Sequence, residues 1–324
     1  MTSCSGPIRV SFGLGSSRTE GVGGENLADL GPTFKPGGAR WGQVPGFRRP
    51  EPPWPIERFE IEHPSVPREW SGLSVLHLSD FHVRRGRRWP GGLRRLLDVI
   101  GSVEVDLIAL TGDTMDHPGD EKSAIGALER VAASWCSRLG AVGIFGNHDT
   151  PRFREMVRDR VPGVRWIETG VVEVAPGLRV AGVSSPEDAV GLGLALGEGE
   201  RPTLTLAHDP SSIYALSGLG RGTEAGEGEG VGVGVVLAGH THGGQVRPWS
   251  RWVPHASCDL PRDASTGLIG LGGTMMAVSR GLGEAVAPVR VNCPSHAPLY
   301  ELRRGGSAGD AVGAGRLPRT IVAW

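Results

Sequence analysis

Five short runs of the chain end in residues that bind metals and move protons. They are "SDFH" with Asp80 and His82, "TGDTMD" with Asp113 and Asp116, "GNHDT" with Asn147, His148 and Asp149, "AHD" with His208 and Asp209, and "AGHTHGGQ" with His240, His242 and Gln245. Each follows an apolar run. Singly they say little: GD is a turn, and an Asn or Asp ahead of Pro151 is a ready helix cap. Together they are costly to bury without a common partner, and a shared metal is the economical one. Imidazole and carboxylate without thiolate suit Zn²⁺, Fe or Mn²⁺. In extended chain the side chains at i and i+2 point the same way. Asp80 and His82 are therefore expected to face one ion, and His240 and His242 to face the same region, with Cα atoms about 6–7 Å apart. Catalytic metal pairs sit about 3.5–4 Å apart, so the two histidines could cap one metal each. Gly239, Gly243 and Gly244 would let the backbone turn tightly and approach the site, which predicts positive φ at Gly243 or Gly244.

The elements that position these residues follow from the apolar pattern. "IERFEIE" (56–62) alternates like an edge strand, and "LSVLHLSD" (73–80), "VDLIALTGD" (105–113) and "AVGIFGN" (141–147) read as buried strands. Between them, helical periodicity predicts a helix from Pro90 to about Gly101 with Leu93, Leu96, Leu97 and Ile100 on one face. A second spans 120–139 with Ala124, Leu128, Val131 and Trp135 inward, and a third begins at Pro151. Residues 166–185 read as strands in hairpins, and "TLTLAHD" and "VGVVLAGH" as further strands. Strands alternating with helices, then mostly strands, indicate a layered α/β sandwich. In open α/β sheets, ligands collect at the carboxyl ends of the strands, where all five polar runs fall.

Composition narrows the function classes. The 324 residues are 39% hydrophobic with a net charge of −1, so there is a core but no overall basic field for extended nucleic acid. The four cysteines are far apart, which argues against a disulfide scaffold and fits a reducing compartment. No charged and apolar leader or run of about 18 apolar residues is visible, so a cytoplasmic location is expected. Gly (52) and Pro (25) are concentrated unevenly. The expected organisation is a disordered or extended Gly/Pro/Arg-rich segment at 1–55, one domain at 56–304 and a flexible tail at 305–324. A flexible glycine- and acid-rich insertion is expected at 217–230. Only Lys35 and Lys122 are lysines, so the arginine cluster Arg84, Arg85, Arg87 and Arg88 partly reflects a general arginine bias. It reads as a solvated loop, as a phosphate contact, or as a peripheral contact with an anionic membrane.

The order D-x-H, GD, GNHD, a later His and GHTH, over about residues 71–303, resembles the calcineurin-like metallophosphoesterase superfamily. "HLSDFH", "GHTHGGQ" and "SRGLGEAVAPVRVNCP" look like its YaeI/YkuE-type phosphodiesterase branch. The resemblance implies a four-layer αββα sandwich of two mixed β-sheets flanked by helices, with metals at the strand carboxyl ends. It implies two divalent ions (Mn, Fe or Zn), one held by Asp80, His82, Asp113 and His242, the other by Asp113, Asn147, His208 and His240. It further implies a phosphohydrolase, foremost a phosphodiesterase, working by a metal-bridging hydroxide on a small phosphorylated substrate, nucleotide- or lipid-linked. His148 would serve the leaving oxygen, and Asp149 would either orient His148 or cap the next helix. Asp116 would support the site from outside. Arg84, Arg85 and Gln245 are candidate substrate contacts, with Gln245 either closing over the site or only holding its loop. Alternatives are a UDP-2,3-diacylglucosamine pyrophosphatase-like lipid A enzyme, a nuclease of the same superfamily, or a non-catalytic scaffold. The chain departs from the branch in showing no N-terminal anchor. It carries "NCPSHAP" with His296 where relatives end in Pro-Pro-Glu, and both a structural and a functional role for His296 stay open. Thr114 after Asp113, instead of Tyr, argues against the purple acid phosphatase branch.

Overall fold

A computed structural model describes residues 55–195, 202–217, 233–249 and 252–305, together with the backbone of 319–322. Residues 1–54 of the expected N-terminal segment, 218–230 of the expected insertion and 306–318 of the expected tail lie outside the described residues.

Apolar runs with no polar face become central strands, because parallel strands are covered on both sides. β1 (Ile56–Glu62) lies at the edge of the first sheet and pairs in parallel with β14 (Ala297–Arg303). β14 is antiparallel to β2 (Leu73–Leu78). From β2 the sheet continues in parallel through β4 (Leu107–Leu110), β6 (Ala141–Gly143) and β7 (Val164–Trp166). The second sheet runs from β8 (Thr169–Ala175) through β9 (Leu178–Val183), β10 (Leu204–Ala207), β11 (Val235–Ala238), β13 (Thr274–Val278) and β12 (Gly267–Leu271) to β15 (Arg319–Val322). Within it β9, β10, β11 and β13 are parallel and the outer pairs antiparallel. Part of the expected tail thus supplies an edge strand, β15 against β12.

Side chains alternate across each strand, and this splits the core into three apolar layers. Val75, Leu107 and Val142 of the first sheet meet Val180, Leu206, Val235 and Leu237 of the second. The first sheet's other face, with Leu78, Ile108 and Leu110, is covered by α1 (Gly91–Val99), α2 (Glu121–Ala132) and α3 (Pro151–Arg160) through Leu93, Leu96, Leu128, Val131, Phe153 and Val157. The second sheet's outer face, with Val183, Val236 and Ala238, is covered by α4 (Pro186–Ala195) and α5 (Ile213–Leu216) through Ala189, Leu192, Ile213 and Leu216. The result is a four-layer αββα sandwich of two mixed sheets.

Two expectations change. The helix expected over 120–139 stops at Ala132, because the chain then straightens so that β5 (Cys136–Ser137) can pair with β3 (Glu104–Val105). The sequence of 184–200 reads as a loop beside the site, yet Pro186–Ala195 form α4. The reason was present in the sequence as "SPED": the Ser185 hydroxyl caps the helix by accepting from the Asp188 amide at 3.1 Å, and it donates to the Asp188 carboxylate at 3.0 Å, with Pro186 in the first turn. Among the described residues no helix is long and apolar enough to cross a membrane.

Candidate metal centre

After β2, β4 and β11 the chain turns left-handed. Asp80, His82, Asp113, His240 and His242 have φ of 53°, 45°, 55°, 71° and 51°. They are five of the eight non-glycine residues with positive φ among the described residues, a costly conformation that clusters at functional sites. The extended-chain alternation expected for these pairs is therefore not what aims them. Hydrogen bonds hold the turned backbone instead, from the Asp80 amide to Gly112 O (3.0 Å), the His82 amide to Asp113 O (3.1 Å) and the His240 amide to Asp80 Oδ1 (2.9 Å). Gly243 and Gly244 have φ of 62° and 79°, as expected. Gly239 serves space rather than turning: a Cβ there would lie 2.1 Å from Ser79 Oγ and 2.6 Å from Asp80 Oδ2.

Seven side chains converge in two groups. Asp80, His82 and His242 form one, with His82 Nε2 to His242 Nε2 at 2.9 Å and His242 Nε2 to Asp80 Oδ1 at 3.9 Å. Asp113, His208 and His240 form the other, with Asn147 beside them. His208 Nε2 lies 3.0 Å from Asn147 Oδ1, 3.1 Å from His240 Nδ1 and 3.3 Å from Asp113 Oδ2. The same Asp113 oxygen is 3.5 Å from His82 Nε2, so Asp113 stands between the groups. Each group takes residues from both sheets.

The outer hydrogen bonds fix which nitrogen carries each proton. Carboxylates and carbonyls only accept, so His82 Nδ1 donates to Asp116 Oδ1 (2.9 Å), His208 Nδ1 to Thr111 O (2.7 Å) and His240 Nε2 to Ser257 O (2.7 Å). In the neutral ring, the opposite nitrogen then points a bare lone pair into the site. With both rings neutral, as metal ligation requires, the lone pairs of His208 and His240 would face each other beside Asp113 Oδ2 and Asn147 Oδ1. Asp80 Oδ2 is buried and has no hydrogen-bond partner. Such a set of acceptors fits cations held between them. The electrostatics agree. Burial would lower the His208 pKa, but the neighbouring Asp113 carboxylate outweighs it and pushes it up to about 10. Burial also opposes ionisation of Asp113, yet His208 and His82 hold its carboxyl well below the usual range. The surroundings of Asp113 thus favour positive charge, whereas burial and the neighbouring His82 and Arg290 hold His242 well below its ordinary value.

The calcineurin-like phosphoesterase family model matches residues 73–244, which span both groups. This chain belongs to the calcineurin-like phosphoesterase family. It is 25% identical over 276 residues to the uncharacterized metallophosphoesterase YkuE of Bacillus subtilis, covering 80% of this chain and 89% of that protein. It is 25% identical over 255 residues to an uncharacterized metallophosphoesterase of Aquifex aeolicus, covering 78% and 93%. A Vps29 double mutant from Entamoeba histolytica aligns in structure over 68% of this chain and 81% of its own, at 16% identity and a TM-score of 0.31.

Around its two groups of ligand candidates, this calcineurin-like phosphoesterase places the other sequence-derived residues as follows. His148 lies at the mouth, its ring 4.8 Å from that of His82; its Nδ1 donates to Asp116 O at 2.5 Å, and its amide donates to Asp113 Oδ1 at 2.9 Å. Asp149 takes neither role expected of it. Its buried carboxylate accepts from the amides of Asp113 (2.9 Å), Thr114 (3.0 Å) and Gly146 (2.9 Å), so it braces the Asp113 turn, while Thr150 caps α3. Burial and the Asp113 charge push its carboxyl up to about 6. Asp116 supports the site as expected, gripping His82 on one oxygen and Arg84 Nε on the other at 2.5 Å.

Arg84 is therefore tied down, and Arg85 is exposed at the rim with its amide on Asp120. Of the two roles expected for Gln245, the structure shows the holding of a loop. Its Nε2 donates to Ala285 O (3.0 Å) and Ala287 O (2.9 Å) and its Oε1 accepts from Ala285 N (2.9 Å), so both ends of the amide hold a loop. His296 is buried away from the ligands, accepting the Arg280 amide at 2.9 Å, which gives it a structural place.

One residue escaped the sequence reading. Arg290 lies half-buried behind His242, with Nη2 3.2 Å from His242 Nδ1, and donates to the carbonyls of Arg280 (2.7 Å), Gly283 and Cys293 (3.3 Å). It stood in the quoted "VRVNCP" run, where the chain-wide arginine bias hid it.

Proposed function

We propose that this chain is a binuclear-metal phosphodiesterase. The observation that carries the reading is the convergence of His208 Nε2 and His240 Nδ1, 3.1 Å apart, beside Asp113 Oδ2 and Asn147 Oδ1. Asp80, His82, Asp113 and His242 would hold one divalent ion, and Asp113, Asn147, His208 and His240 the other. Bound there, two ions supply Lewis acidity at phosphorus and lower the pKa of a water nucleophile. Mn, Fe and Zn all suit these nitrogen and oxygen donors.

The chain's own residues do the rest. Asp80 and Asp113 are the two carboxylates among these ligands, so two divalent ions leave an excess of positive charge for an anionic phosphoester. His148 donates its Nδ1 proton to a carbonyl, which fixes the ring and leaves Nε2 to hold the proton delivered to the leaving oxygen. Asp149 and Asp116 act through other residues and are positioning residues. A reducing cytoplasmic location suits Cys258 and Cys293, which are free thiols.

The test is metal analysis of purified protein together with hydrolysis of a generic aryl phosphodiester, a pyrophosphate-linked nucleotide and a monoester. The diester is expected to turn over fastest, with about two metals per chain. Fastest turnover of the pyrophosphate would move the reading to the UDP-diacylglucosamine class. Asp113→Ala is expected to lose both metal and activity, and full activity in that variant would sink the reading.

A further inference from the structure

Among the described residues, six of the seven exposed large apolar side chains fall in two segments, 246–252 and 286–291. Trp249 is 70% exposed, Trp252 48% and Val286 90%, and Val246, Val289 and Val291 accompany them. The two segments form one ridge. Val246 bridges Val291, the Arg247 amide donates to Val291 O at 2.9 Å, and Asn292 Nδ2 donates to Arg247 O at 2.9 Å. The Trp249 and Trp252 rings meet edge to face at 5.5 Å.

This ridge is built, and its foundation is the metal motif itself. Gln245, the last residue of "AGHTHGGQ", clasps Ala285 and Ala287, the neighbours of Val286, with three hydrogen bonds. Val286 sits at φ 57°, where a β-branched residue is a true outlier. The chain thus holds a strained backbone in order to present an isopropyl group to water. Nothing in the folding of the domain calls for that, since a polar residue or glycine would be less costly there. On the flank nearest the metal groups lies the arginine loop: Arg84 Nη2 reaches Val286 O at 3.4 Å, and Arg85, Arg87 and Arg88 are exposed.

We infer that this ridge inserts into an anionic lipid surface and sets the metal centre against it. Indoles are at home at the boundary of hydrocarbon and water, valines bury beyond it, and arginines beside them meet lipid phosphates. That combination favours a bilayer over a protein partner, whose contact surface would need a shaped counterpart. The inference does not rest on the phosphodiesterase reading, because attachment needs no turnover.

The experiment is co-sedimentation of the metal-loaded full chain with vesicles of phosphatidylcholine alone and with about 30 mol% phosphatidylglycerol. Binding is expected to the anionic vesicles and to be reduced about tenfold or more by Trp249→Ser/Trp252→Ser and by Val286→Ser. Arg85→Gln/Arg87→Gln/Arg88→Gln should weaken it and flatten its salt dependence. Brominated lipids should quench tryptophan fluorescence in the unsubstituted protein and much less in the double variant. Circular dichroism checks that each variant is folded. Absence of binding to anionic vesicles, or binding unchanged in the tryptophan variant, overturns the inference. So does self-association that these substitutions abolish while no vesicle is bound, which would assign the ridge to a second copy of the chain.

Discussion

His82 shows how a single imidazole is prepared. Its Nδ1 proton is held by Asp116, so only Nε2 is offered inward, and Asp116 is in turn held by Arg84. Replacing the Asp116 carboxylate by an amide removes its charge and one of its two acceptor oxygens, which loosens the ring and its tautomer. Asp116→Asn is therefore expected to weaken metal retention about 10–100-fold while leaving the fold intact, read by competition with a metallochromic chelator. His148 differs, since it lies at the mouth and its side chain holds no ligand candidate in place. His148→Ala should keep the metals and lower turnover by about 10²–10⁴. Loss of metal in that variant would make His148 a ligand and reassign the proton. At this scale the sequence was informative about which residues meet, because Asp, Asn and His after apolar runs are expensive to bury apart. It was silent about what fixes them. The acceptors at Thr111 and Ser257 are backbone carbonyls, and a carbonyl leaves no mark in a residue code.

At the scale of elements, a strand's end matters more than its length. β2, β4 and β11 each stop two or three residues before their ligands, and the turned backbone that follows does the aiming. The pairs Asp80/His82 and His240/His242 were legible as pairs, yet the alternation of extended chain was the wrong cause, because φ at single residues is invisible to periodicity. Helix α4 was legible in "SPED" and was passed over for its loop-like surroundings. Gln245 was legible as a holder of its loop, whereas Asp149 was legible as special but not in role, since its side chain is spent largely on backbone groups of the distant Asp113 turn. The tight join between β11 and Asp80 gives a direct test. Gly239→Ala places a methyl 2.6 Å from Asp80 Oδ2, so that carboxylate must move. Metal content should fall, with a smaller change in melting temperature than in metal affinity. Unchanged metal affinity would show that the Asp80 oxygen is not a ligand.

For the whole molecule, acid stability is set by histidines buried as neutral rings. Burial, with the nearby His296, lowers His77 to about 3, and burial, with Arg280, lowers His296 to about 4. Both lie below the value of 6.5 for the unfolded chain, which therefore takes up protons that the folded chain refuses. The stability they contribute is complete above pH 6.5 and is lost as pH falls toward 4 and 3. Urea unfolding at a series of pH values is expected to show this loss, with a shallower slope between 6.5 and 4 in His296→Gln. An unaltered slope would place the acid sensitivity elsewhere.

The two sheets meet at the ligand groups, and each group draws from both. Asp80, His82, Asp113 and Asn147 travel with one sheet, and His208, His240 and His242 with the other. Donor atoms now 2.9–3.3 Å apart across the seam would be parted by one strand step, roughly 3.3 Å, if either sheet slid along the other. The centre is therefore a gauge of shear between the layers. A void opened far from it, as by Val180→Ala in the layer between the sheets, should register there as faster escape of bound metal before it registers as unfolding.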